Sequence, residues 1–80
     1  MHDYYYYNKE VLMEKLLVVT TCKYNSTSRY LKIFYNNGTA DLFHPVPEII
    51  YNNLVRCSNK VAFVKKYLEY DLHFKRIHMQ

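Results

Sequence analysis

Residues 29–45 read "RYLKIFYNNGTADLFHP", and the way this stretch pairs with itself decides the fold. Leu31, Ile33 and Tyr35 alternate with Tyr30, Lys32 and Phe34, the period-two pattern of a strand with one buried side. Asn37-Gly38 follows, the strongest short hairpin signal, because a type I′ turn requires positive φ at both central residues. A two-residue loop there sets Asn36 opposite Thr39, Phe34 opposite Asp41 and Lys32 opposite Phe43. Ala40 and Leu42 then share the face of Leu31, Ile33 and Tyr35, and Asp41 points to solvent. A slip of one residue would bury Asp41, so this register is the expected one. The strand stops at His44-Pro45, since proline cannot donate to the ladder and holds its predecessor extended.

On the N-terminal side, "VVTTCKY" at 18–24 gathers β-branched residues and reads as a preceding strand, with "NSTS" at 25–28 as the turn between them. Residues 9–19, "KEVLMEKLLVV", fit a short helix on Val11, Leu12, Lys15 and Leu16 or the approach to that strand; the expectation is one or two helical turns ending near Glu14. Tyr4–Tyr7 reads either as a recognition arm or as rings that pack partly on the domain.

On the C-terminal side both prolines of the chain stand in "HPVP" at 44–47. Pro45 closes the strand, and Pro47 brings the φ favoured at the first helical position, with Glu48 in the positive first turn. Ile50 and Leu54, joined by Tyr51 and Val55, form the inward stripe of this helix. Ser58 is the expected N-cap of a longer helix through about Phe74. Val61, Val64, Leu68 and Leu72 make one stripe of it, and Phe63, Tyr67, Tyr70 and Phe74 an adjacent aromatic one. The expected fold class is α+β: a short N-terminal helix, a three-stranded antiparallel meander, then two helices packed on one sheet face.

At 80 residues, this is one domain, 1–80, with an N-terminal extension over 1–16 and a core over 17–74. Half of the chain is hydrophobic and it holds ten Tyr and four Phe, which excludes a disordered chain. The Leu16–Val19 apolar run is far short of the ~20 residues that span a bilayer. The start "MHDYYYYNKE" lacks a basic segment followed by an apolar one, so a cytoplasmic protein with reduced Cys22 and Cys57 is expected. The net charge of +4 suits an acidic partner but is a mild excess.

Chemistry-bearing patterns are absent. Gly38 is the single glycine, so no phosphate-cradling loop exists. Nothing nearby pairs Cys22, Cys57 or Ser58 with a His and an Asp as a nucleophile requires. His2, His44, His73 and His78 lack ligand spacing, since His73 and His78 stand five apart where one helix face wants four. No enzyme activity, metal or cofactor is expected.

The run from Tyr24 to Tyr70 resembles the KTSC domain, a module named from its place at the C-terminus of some lysyl-tRNA synthetases and found alone in small bacterial and phage-type proteins. The matching residues are Tyr24; Leu31, Ile33 and Tyr35; Asn37-Gly38; Val46-Pro47; "IIYNNL" at 49–54; Cys57-Ser58; Phe63; and Tyr70. The family's Tyr-x-Tyr pair falls on Asp41 and Phe43, and Lys60 stands where a Gly is usual. The resemblance implies a compact α+β fold, and through the synthetase fusion it implies RNA binding.

Two function classes follow. The expected register puts Tyr30, Lys32, Phe34 and Phe43 on the sheet face away from the core, the arrangement in which RNA modules stack bases. Lys65 and Lys66 on the helix, with Lys75 and Arg76 at its end, would hold phosphate, with Lys60 nearby. Asp41 in the middle of that face argues against an anionic ligand. The alternatives are that the N-terminal segment covers the face, that a second copy packs on it as a homodimer, or that it contacts a protein partner, as a phage-type inhibitor of a host protein would. For the lysines the alternative is a solvated helix face, with Glu69 one turn from Lys65.

Overall fold

The computed structural model describes residues 17–71 and 73–80. The elements run β1 (Val19–Tyr24), β2 (Leu31–Tyr35), β3 (Ala40–His44), α1 (Glu48–Arg56), α2 (Lys60–Val64), a π-helical turn (Lys65–Glu69) and β4 (Lys75–Met79). The strands form one antiparallel sheet in the order β1-β2-β3-β4. The helices cover one face of it, and Leu31, Ile33, Tyr35, Phe43, Val46, Leu54, Val64 and Leu68 make the core between the layers. No helix among the described residues is long and apolar enough to cross a membrane. The N-terminal helix expected near Glu14 and the Tyr4–Tyr7 patch lie outside the described residues.

The hairpin pairs one residue away from the expected register. Leu31 faces Phe43, Lys32 faces Leu42, Ile33 faces Asp41 and Phe34 faces Ala40. The cause is the turn. Gly38 alone of the loop residues takes positive φ, at 84°, whereas a two-residue type I′ loop needs it at Asn37 as well. The Asn37 carboxamide oxygen instead accepts from the Thr39 amide at 3.0 Å and the Thr39 hydroxyl at 2.6 Å. The Gly38 amide donates to the Tyr35 carbonyl at 3.3 Å and the Tyr35 amide to the Thr39 carbonyl at 2.9 Å. Asn36, Asn37 and Gly38 therefore form a three-residue loop with a left-handed closing residue. Every β3 side chain changes face as a result: Asp41 and Phe43 turn inward, Leu42 and His44 outward.

The second difference is a fourth strand. The expected helix over 58–74 begins one residue later, with Asn59 as N-cap accepting from the Ala62 amide at 3.1 Å. It widens into a π turn whose last bond runs from the Tyr70 amide to the Lys65 carbonyl at 3.2 Å. Asp71 then breaks it: its carboxylate accepts from the His73 amide at 2.9 Å, and its carbonyl accepts from the Phe74 amide at 3.3 Å. The chain that follows, "KRIHM", extends along β3, with Asp41 opposite His78 and Phe43 opposite Arg76.

At the β3–α1 junction the strand stops where Pro45 requires, but Pro47 stands one residue before the expected first helical position. β3 ends at His44, α1 begins at Glu48, and Pro47 is its N-cap. The Tyr24 hydroxyl donates to the Val46 carbonyl at 2.6 Å, and the Tyr24 ring stacks on Tyr51 with centroids 4.8 Å apart. That clasp ties the end of β1 to the start of α1. Leu54 is fully buried one turn on, while Val55 stays exposed.

Candidate nucleic-acid interface on the open sheet face

The face opposite the helices is a grid set by register. One row runs Tyr30, His44 and Lys75; the next runs Lys23, Lys32, Leu42 and Ile77; the third runs Thr21, Phe34, Ala40 and Met79. Neighbours along a row stand ~4.8 Å apart and rows ~7 Å apart, close to the separation of successive bases in an extended strand. The Tyr30 ring stacks on His44 with centroids 4.1 Å apart. Phe34 lies under two ammonium groups, Lys32 Nζ at 4.9 Å and Lys23 Nζ at 5.6 Å from its centroid. Tyr30 and Ile77 are exposed; Lys32, Phe34, Leu42 and His44 are half-buried.

Asp41 is the sole acidic residue in the four strands, and it points into the core. The strands thus present Lys23, Lys32 and Lys75 on this face with no carboxylate among them. The objection raised by a central carboxylate disappears with the corrected register.

Of the residues singled out in the sequence, Tyr30, Lys32, Phe34 and Lys75 meet on this face. Phe43 does not: the three-residue loop turns it inward, and it is fully buried in the core. Arg76 does not either, since on a strand it alternates with Lys75 and faces the helix layer. Lys65 and Lys66 stand on the π turn, on the far side of the sheet, where Lys66 Nζ lies 5.2 Å from the Tyr67 centroid. The sequence reading missed Lys23, although its alternation with Cys22 and Tyr24 carried the signal. It also missed Leu42 and Ile77, which depended on the register and on β4.

Inside, Asp41 is 1% exposed and is the hub of a polar network. Its carboxylate accepts from the Tyr35 hydroxyl at 2.7 Å and from Arg76 Nε at 3.0 Å and Nη2 at 3.3 Å. His78 Nδ1 is 2.6 Å from the same carboxylate. Arg76 also reaches Glu69 at 3.5 Å. Burial pushes the Asp41 carboxyl up, but the hydrogen bonds from Tyr35, His78 and Arg76 outweigh it and hold the group below the usual carboxylate range. Burial, reinforced by the bond to Asp41, pushes the Tyr35 phenol far up, so it remains a donor. A cleft of about 170 Å³ beside this network is lined in part by Lys65, Glu69, Arg76 and His78. The network's polar atoms serve one another, which makes it a structural lock between β2, β3 and β4.

Among the described residues no group of three or more His, Cys, Asp or Glu is placed to hold a metal ion. Cys22 and Cys57 are free thiols. No protein-family model and no curated protein matches the chain.

Proposed function

We propose that the chain is a non-enzymatic, cytoplasmic binding module that holds single-stranded nucleic acid, RNA foremost, on its open sheet face. The observation that carries this reading is the charge sorting of the strands: three lysines and the aromatic pair Tyr30 and Phe34 on one side, the single carboxylate on the other. Phe34 and Tyr30 supply stacking platforms worth ~1–3 kcal/mol per base, and Lys23, Lys32 and Lys75 meet the backbone. We place the chain with KTSC-like modules on the same terms. In support, residues quoted for that resemblance converge in space: Tyr24 on Val46 and Tyr51, with Leu54 buried one turn on.

Fluorescence anisotropy with a single-stranded RNA across a salt series tests the reading. Three phosphate contacts predict a slope of log K against log salt of about −2, and Lys32→Gln should lower its magnitude by about 0.7. Binding that is absent at low salt, or a slope that Lys32→Gln leaves unchanged, rejects it. The apolar half of the face, Leu42, Ile77 and Met79, favours a second reading in which a protein partner or a second copy of the chain covers it. A dimer whose mass falls on Ile77→Lys would support that reading instead.

A further inference from the structure

Lys23 and Lys32 are directly opposed across β1 and β2. Like charges in that position destabilise a strand pair, and among the described residues neither lysine has a carboxylate partner. Both ammonium groups lean over the same Phe34 ring, within 5.6 Å of its centroid. The Phe34 ring face attracts both ammonium groups, but a ring quadrupole carries no net charge and does not neutralise two cations. The pair therefore lacks a counter-charge that the described chain does not supply.

Beside the pair lies a shallow, open depression lined by Lys23, Tyr24, Asn25, Tyr30 and Lys32. It sits where β1 and β2 end at their connecting turn, so a strand that enters it has little further sheet to run along. Arg29 takes positive φ in that turn, and the Arg29 amide donates to the Asn25 carbonyl at 2.7 Å, which fixes the rim.

We infer that this corner is a subsite for the phosphorylated end of a nucleic-acid strand, with Lys23 and Lys32 sharing the terminal phosphate and Tyr30 facing the terminal base. The inference rests on the nucleic-acid reading above. Charge decides which phosphate the site takes. An internal phosphodiester carries one negative charge, whereas a terminal monoester carries about −1.5 to −2 at pH 7 and three acceptor oxygens. Two opposed ammonium groups are matched by the second and left in excess by the first.

The test is competition anisotropy on the full chain with RNA of one sequence carrying a 5′-phosphate, a 3′-phosphate or hydroxyl ends only. The expected result is roughly tenfold tighter binding of a phosphorylated oligonucleotide, equivalent to about 1.4 kcal/mol. The preference should vanish in Lys23→Gln and in Lys32→Gln, all three RNAs falling to one common, weaker affinity, whereas Lys75→Gln should weaken all three RNAs and keep the preference. Both variants should also raise the urea midpoint, because each removes the opposed charge, so loss of the preference cannot be ascribed to unfolding. Equal affinity for all three RNAs, or a preference that survives both substitutions, overturns the terminal subsite and leaves the open-face reading standing. Failure of every RNA to bind overturns both.

Discussion

Asp41→Asn is the substitution on which the structure makes its sharpest stability claim. Asn keeps the shape of the side chain and one acceptor for the Tyr35 hydroxyl. It removes the charge and turns an amide donor toward Arg76, which can only donate. Breaking one side of a buried ion pair costs ~3–5 kcal/mol when both partners are desolvated. Here the Arg76 and His78 side chains are 36% and 40% exposed, so water recovers part of the loss. That discount brings the expected cost to about 2–3 kcal/mol. A domain of this length has about 4–12 kcal/mol in total, and with a urea slope near ~1 kcal/mol/M the midpoint should fall by about 2–3 M. The assay is urea unfolding followed by circular dichroism. The pH dependence adds a second readout with a fixed sign. The folded-state pKa of Asp41 is depressed, so its contribution is fully present above the unfolded value of ~3.9 and is lost as pH falls through the lower folded value. Wild type should therefore lose stability below about pH 4 more steeply than Asp41→Asn. A loss under ~0.5 kcal/mol, the ordinary cost of a surface change, would refute the buried network and restore the register in which Asp41 faces water.

Four further substitutions test the core, the open face, the hairpin turn and the β1–α1 clasp. Phe43→Ala should cost ~3–5 kcal/mol because Phe43 is fully buried, whereas Phe34→Ala should leave the fold largely intact and weaken RNA binding by ~1–3 kcal/mol; comparing urea midpoints with anisotropy shows which ring does which. Gly38→Ala should destabilise by ~1–2 kcal/mol in thermal unfolding, since its φ of 84° penalises a side chain even though nothing lies within 4 Å of the added carbon. Tyr24→Phe removes the hydroxyl that donates to the Val46 carbonyl and should cost ~0.5–1.5 kcal/mol in the same assay. At neutral pH Cys22 should alkylate slowly, because burial pushes its thiol up and the nearby Lys60 only partly offsets it.

Much of the layout was legible because local signals act alone. The alternation in Leu31–Tyr35, the β-branched run into Tyr24 and the paired prolines at 45 and 47 each fix their element without help from distant residues. The two failures were one failure. Asn37-Gly38 pointed to the two-residue turn, and with residues 75 and 76 left beyond the end of the helix nothing in the sequence was available to neutralise Asp41, so the slip that buries it looked forbidden. The strand formed by Lys75–Met79 brings Arg76 and His78 to that carboxylate from 35 and 37 residues away. A five-residue alternation with one β-branched member is too weak to announce such a strand. The candidate site inherited the same error. Phe43 and Arg76 were placed on the wrong side, and Lys23 and Ile77 were overlooked, while Tyr30, Lys32 and Phe34 came through because β2 itself was read correctly.

The most direct test of the central claim is an amide chemical-shift titration of the full chain with a short single-stranded RNA at low salt. The account predicts that perturbations gather at Lys23, Tyr30, Lys32, Phe34, Leu42 and Ile77 and fade as salt rises. Perturbations confined to α1, α2 and the π turn around Lys65 and Lys66, or none at millimolar RNA, would contradict it.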